Sequence, residues 1–235
     1  MFFNLDAAVR TANVAGRAGE GLLHIGTVAS ISTSFLHRLI REWMAKHPRV
    51  AVDIVEGSPR EHIAAVIDRR LDIAFVSGSP SVAGCDVEHM WSEPLLAAVQ
   101  SQHRFAGRGV VELDEAASEP FIVSKVAPGP ELHDFIVGRF TRDGGSRPSI
   151  SLFSVGREML MSMVGLGFGT TLVSGAEAGV IYPGVVFVPV AGESLSFSAV
   201  WSPDNDNPAL RRFLSLARMM AKDSNPSDQS HDERA

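Results

Sequence analysis

Residues 22–76, LLHIGTVASISTSFLHRLIREWMAKHPRVAVDIVEGSPREHIAAVIDRRLDIAFV, decide the fold. Leu22-Leu-His-Ile-Gly26 is a short apolar run that leads into the hydroxyl-rich loop Thr27-Val-Ala-Ser-Ile-Ser32. After that loop Phe35, Leu36, Leu39, Ile40, Trp43 and Met44 recur at helical spacing until Pro48 ends the pattern. Val50-Ala-Val-Asp-Ile-Val55 reads as a second strand, and Pro59 opens a second helix with Ile63, Val66, Ile67 and Leu71 on one face. Asp72-Ile-Ala-Phe-Val76 is the third strand. Strands that alternate with helices of this length pair in parallel through right-handed crossovers, so the segment predicts a βαβαβ unit.

Working outward, a less regular α/β run fills Leu95 to Val190. It holds strands at Leu95–Val99, Phe121–Val123, Ile150–Phe153, Thr170–Val173 and Val185–Val188, with helices at Leu113–Ala117, Glu131–Phe140 and Gly156–Val164. Leu195-Ser-Phe-Ser-Ala-Val-Trp201 then returns to the first half as a strand. A closing helix follows, with Asn207 as its cap, Pro208 in its first turn, and a stripe of Leu210, Phe213, Leu214, Ala217 and Met220. Asn4 to Ala18 reads as the end of a longer helix, and Asp223 to Ala235 as a disordered polar tail. Two lobes with a cleft are the expected layout, and small ligands gather in such clefts.

Composition narrows the function. At 235 residues and 45% apolar content the chain can bury an ample core. Its formal charge of −6, from 21 basic and 27 acidic residues, argues against a stand-alone nucleic-acid module, which needs a basic face to displace counterions. The single Cys85 can form no internal disulfide, Asp6 and Arg10 break any export-signal core, and no apolar stretch approaches the roughly 20 residues of a membrane helix. A cytoplasmic location with no membrane contact is therefore expected. The eight histidines show no metal-ligand spacing, so neither metal nor other cofactor is expected.

The candidate site is a set of hydroxyl-bearing turns at strand ends. Ser30, Ser32, Thr33 and Ser34 cluster where the first strand gives way to a helix, a place where free N–H groups and the helix dipole favour an anion; capping of the helix is the alternative use. Ser58 after the second strand and Ser154 after Ile150–Phe153 occupy equivalent turns, though each taken singly is more simply a cap; Ser124 follows another strand with Lys125, a cation for the site or a solvated loop residue. Gly165-Leu-Gly-Phe-Gly169 mimics a phosphate loop, but it runs from helix to strand and is read as a helix-ending turn. Met159, Met161 and Met163 are read as a helix packing on its sheet. No Gly-x-Ser-x-Gly elbow is present, nor a carboxylate pair with a partner histidine.

From about Glu20 to Met220 the chain resembles the effector-binding domain of LysR-type transcriptional regulators. The resemblance is carried, in order, by Gly21-Leu-Leu-His-Ile-Gly26, Phe35-Leu-His-Arg-Leu-Ile with His47-Pro48, Val55-Glu-Gly57 and Leu71-Asp-Ile-Ala-Phe-Val76. Ser92-Glu-Pro-Leu95, Met163-Val-Gly-Leu-Gly-Phe-Gly169 and Ala209-Leu-Arg-Arg-Phe213 continue it. It implies a type 2 periplasmic-binding-protein-like fold in which two α/β subdomains, 21–94 with 199–222 and 95–198, are joined by two crossover strands around a central cleft. Residues 1–20 would be the remnant of a linker helix and 223–235 the tail, without the family's N-terminal winged helix-turn-helix.

By the same resemblance Ser30, Ser32, Thr33, Ser58, Val123, Ser124 and Ser154 would line an effector site. The effector would be a small organic molecule, a carboxylate or aromatic acid. The assembly would be a homodimer or tetramer using the Phe35 to Met44 helix, with DNA bound only through the missing N-terminal domain. No enzymatic activity is expected. A stand-alone solute-binding protein of the same fold is the alternative, and a lyase-like or dehydratase-like enzyme using the cleft a more distant one.

Overall fold

A computed structural model describes residues 21–28, 34–141 and 148–224. The Asn4–Ala18 helix, the tail from residue 225, and Ser30, Ser32 and Thr33 lie outside the described residues. The chain divides into two compact units. The first comprises Gly21–Thr27, Phe35–Trp91 and Ser198–Ser224; the second comprises the described residues of Ser92–Phe197 with Val28 and Ser34.

In the first unit, β1 (Gly21–Thr27), α1 (Phe35–Lys46), β2 (Val50–Glu56), α2 (Pro59–Ile67) and β3 (Ile73–Ser77) follow the expected βαβαβ order. β1 runs parallel to both neighbours, with Leu23 opposite Val52 and Ile25 opposite Ile54 on one side and Ile73 on the other. Period-2 burial places Leu23 and Ile25 in the core with no exposure. α1 buries Phe35, Leu36, Leu39, Ile40 and Trp43 as its spacing predicts, but Met44 is 57% exposed.

α2 buries the expected Val66 together with His62 and Ala65, but not the expected Ile63 and Ile67. The helix ends at Asp68, Arg69 turns left-handed at φ 57°, and Leu71 reaches the core from beyond the helix while Ile67 is left 54% exposed. α6 (Pro208–Ser224) completes the unit. Asn207 caps it through a 3.0 Å bond accepted from the Ala209 N–H, and its Phe213 ring meets Trp43 edge-on at 5.3 Å. The helix carries Asp223 and Ser224, which the sequence assigns to the tail.

In the second unit two long strands replace shorter expected ones. β4 spans Asp86–Gln100 instead of Leu95–Val99, and the two separate strands expected at Val185–Val188 and Leu195–Trp201 are one, β8 (Val185–Trp201). Pro94, Pro189 and Gly192 (φ 66°) punctuate the sequence without ending the strands. Both strands pass from one unit into the other, and the hydrogen-bonded order through the molecule is β2-β1-β3-β8-β4-β7.

α3 (Leu113–Ala117), β5 (Phe121–Ser124), α4 (Gly129–Phe140), β6 (Ile150–Phe153), α5 (Arg157–Gly165) and β7 (Thr171–Ser174) fill the interval within a residue or two of expectation. β4 alternates between two cores. Leu95, Ala97 and Val99 join Phe121, Val123, Ile136 and Phe140, whereas Leu96 and Ala98 join Ile122, Leu160, Met161 and Val164. A strand buried on both faces reads as a continuous apolar run, which is the pattern of Leu95-Leu-Ala-Ala-Val99. Of the three α5 methionines, Met161 and Met163 pack in that core and Met159 is 57% exposed.

The glycine-rich stretch is a helix-ending turn. Phe168 N–H reaches back to Met163 O (3.1 Å) and Gly167 N–H to Val164 O (2.9 Å), with Gly167 left-handed at φ 84°.

Candidate functional site

In the first unit the site is built on the carboxyl ends of β1 and β2. The carbonyl of Thr27, the last residue of β1, accepts from Gly57 N–H at 3.2 Å and lies 3.0 Å from His62 Nε2, which donates in the Nε2-protonated form. His62 is only 2% exposed and was not singled out by sequence reasoning. Its place is visible in the glycines it touches, since a Cβ on Gly26 would lie 2.8 Å from His62 Nδ1 and 2.6 Å from Leu71 Cδ1.

Ser58 lies beside this staple as the N-cap of α2, in a reciprocal capping box. Its hydroxyl accepts from Glu61 N–H (3.3 Å) and donates to Glu61 Oε2 (2.7 Å), and its own N–H donates to the same oxygen (3.0 Å). Those bonds, led by the one from the Ser58 backbone, hold the Glu61 carboxyl below its ordinary range. Ser58 is therefore a helix cap, and its hydroxyl proton is already committed to Glu61.

In the second unit the Ser124 hydroxyl donates to Val155 O at 2.6 Å and accepts from Val126 N–H at 2.9 Å. It ties the end of β5 to the turn after β6, parallel strands in which Ser124 stands opposite Phe153. Val123 is fully buried in the core, so it offers a ligand only backbone. Ser154 is exposed, and among the described residues its hydroxyl has no hydrogen bond. Lys125 is exposed and its N–H is held by Phe153 O (2.7 Å).

Sequence reasoning also passed over a charged cluster a few residues on. Arg157, the first residue of α5, donates from Nη1 to Glu177 Oε1 at 2.9 Å, and Tyr182 OH donates to Glu177 Oε2 at 3.1 Å. The Glu177 side chain is 1% exposed and that of Arg157 32%. Burial, reinforced by the Glu177 charge, pushes the Tyr182 phenol up to about 12. An unfolded phenol ionises near its usual value of about 10, so between about pH 10 and 12 the folded chain holds a proton that the unfolded chain has released. Stability intact below that window should fall as pH rises through it. Tyr182→Phe should flatten this fall, measured as urea midpoints of the two proteins at about pH 9 and 11.

These features define a two-unit α/β ligand-binding domain whose polar turns sit at the carboxyl ends of parallel strands. Residues 16–222 match the family model described as the LysR substrate binding domain, and the chain belongs to that family. It is the effector-sensing domain of a LysR-type transcriptional regulator, not an enzyme. The HTH-type transcriptional regulator AlsR of Bacillus subtilis (strain 168) is 25% identical over 229 residues, which cover 95% of this chain and 73% of AlsR. The uncharacterized HTH-type transcriptional regulator YnfL of Escherichia coli (strain K12) is 28% identical over 216 residues, 88% of this chain and 71% of YnfL.

Among solved structures, full-length CbnR with its target DNA superposes with a TM-score of 0.80 at 19% identity, covering 93% of this chain and 78% of that one. The BenM effector-binding domain with its effector benzoate gives 0.76 at 18% identity, covering 88% and 95%. These two likenesses establish the periplasmic-binding-protein-like fold. Among the described residues no helix is long and apolar enough to cross a membrane.

Proposed function

We propose that the effector is a small organic carboxylate or aromatic acid, held by Ser30, Ser32, Thr33 and Ser58 of the first turns and by Ser124, Ser154 and the Val123 backbone of the second unit. The observation that carries this reading is the placement of Ser58 and of Ser124 with Ser154 at the carboxyl ends of parallel strands, where ligands of open α/β sheets gather. BenM, a fold relative, has benzoate as its effector. The subdomain bounds proposed with it, 21–94 with 199–222 and 95–198, differ by a few residues from the compact units divided at Trp91/Ser92 and Phe197/Ser198.

The regulator works in the cytoplasm as a homodimer or tetramer, and DNA is bound through a segment N-terminal to the matched stretch, as full-length CbnR is seen with its target DNA. Exposed apolar side chains on each unit, Met44, Ile54 and Val55 on the first and Leu166 and Phe168 on the second, offer surface for that assembly.

A thermal-shift panel of benzoate, 4-hydroxybenzoate, succinate and 2-oxoglutarate tests the effector class. At 100 times the dissociation constant a true effector adds roughly 2.7 kcal/mol, a rise of about 5–10 °C for a chain of this size. The shift should shrink in Ser30→Ala/Ser32→Ala. Saturable binding of neutral or cationic compounds alone would overturn the carboxylate assignment, and a carboxylate shift unmoved in the double variant would overturn the role of that loop.

A further inference from the structure

Among the described residues Glu177 is the most completely buried carboxylate of the second unit, and a buried ion persists only when it is paired and hydrogen-bonded. Both its oxygens are satisfied, one by Arg157 Nη1 and the other by the Tyr182 phenol. Arginine presents five N–H donors in a rigid fork, and Glu177 engages one of them. A third of the side chain is exposed, at 32%, and among the described residues no other acceptor meets its remaining donors.

The position of this fork bears on binding. Arg157 follows Ser154-Val155-Gly156, the turn at the carboxyl end of β6 that Ser124 binds to β5. Glu177 lies in the 3-10 turn Gly175–Glu177 directly after β7. The parallel bridge between Phe121 and Thr170 gives β5 and the start of β7 one direction, so Ser124, Phe153 and Ser174 all mark carboxyl ends. The Arg157–Glu177 pair thus links the ends of β6 and β7, at the edge of the sheet where ligands gather.

Resting on the carboxylate reading above, we infer that Arg157 is the cation that receives the effector's carboxylate in the second unit, through the donors that Glu177 leaves unused. Glu177 and Tyr182 are positioning residues that hold the fork in place before the effector arrives. A planar two-oxygen anion matches the fork, and an arginine already immobilised by a buried partner loses little side-chain freedom on binding. A neutral or cationic effector would have no use for it.

The test titrates the full chain with each carboxylate of the panel and, in parallel, with benzamide as a neutral counterpart of benzoate. Arg157→Gln alone would strand a buried charge, so the informative variant is Arg157→Gln/Glu177→Gln, with Arg157→Lys as a second that keeps Glu177 paired but loses the fork. The binding carboxylate should weaken by roughly 10-fold or more in the double variant and by less in Arg157→Lys. Benzamide binding should be the same in all three proteins, and the ligand-free melting temperature should stay within a few degrees of wild type. A folded double variant, or Arg157→Lys if the double variant does not fold, that binds the carboxylate as wild type does overturns the inference while the effector class stands. If no carboxylate binds the wild type, the effector class and Arg157's role fall together.

Discussion

Gly129→Ala should destabilise the second unit by about 3 kcal/mol or more. A Cβ at position 129 would collide with the Ser124 carbonyl oxygen and lie 2.6 Å from its carbon, and both are backbone atoms. That carbonyl cannot retreat easily. Ser124 ends a strand paired with β6, and its hydroxyl is bonded both to Val155 O and to Val126 N–H. Gly129 itself donates to Val126 O at 2.9 Å, which closes the turn from the other side. Overpacking against a side chain costs about 1–3 kcal/mol, and against backbone the loss should reach about 3 kcal/mol or more. The urea midpoint should fall steeply and carboxylate binding should vanish with it; a wild-type midpoint would show that this turn yields where the geometry says it cannot.

Phe213→Ala should produce the largest loss in the first unit, about 3–5 kcal/mol. The ring has no exposure and stands edge-on to Trp43 at 5.3 Å and to Phe75 at 6.3 Å, so it joins α6 to both α1 and β3. Its removal opens a cavity and breaks two aromatic contacts at once. For a chain of this length the melting temperature should drop by roughly 6–20 °C. Ile181→Ala makes an apolar control, since Ile181 is 93% exposed and its loss should change stability by less than about 0.5 kcal/mol. Equal effects from the two substitutions would mean that the Phe213 contacts are not what holds α6 in place.

The sequence made the first unit legible because period-2 strands and a period-3.6 helix there obey local rules: Leu23 and Ile25 face the core, as do Leu36, Leu39 and Trp43. It misread β4 and β8 because Pro94, Pro189 and Gly192 look like punctuation, and only strand partners far along the chain override them. The α2 face went astray because the left-handed Arg69 lets Leu71 enter the core from outside the helix.

At the site, Ser58 was legible as a helix cap because its hydroxyl's bonds reach only to Glu61, whereas Ser124 was visible as a residue but not through its bond to Val155, 31 positions on. His62 was hidden because histidine reads as a surface residue until Gly26 and Gly57 are seen against it. Arg157 and Glu177 are 20 positions apart, and nothing local announces that one is buried and the other half-buried.

The long strands also carry a consequence for how the protein is made. Synthesis runs from β4 through the entire second unit before β8 brings the chain back, so when Phe197 leaves the ribosome the second unit has all of its strands and helices. The first unit at that moment has Phe35, Leu39 and Trp43 in place but no Leu210, Phe213, Leu214 or Ala217 to cover them. Its apolar helix face therefore waits uncovered through more than a hundred added residues, and a nascent chain halted there would be an expected client for a chaperone.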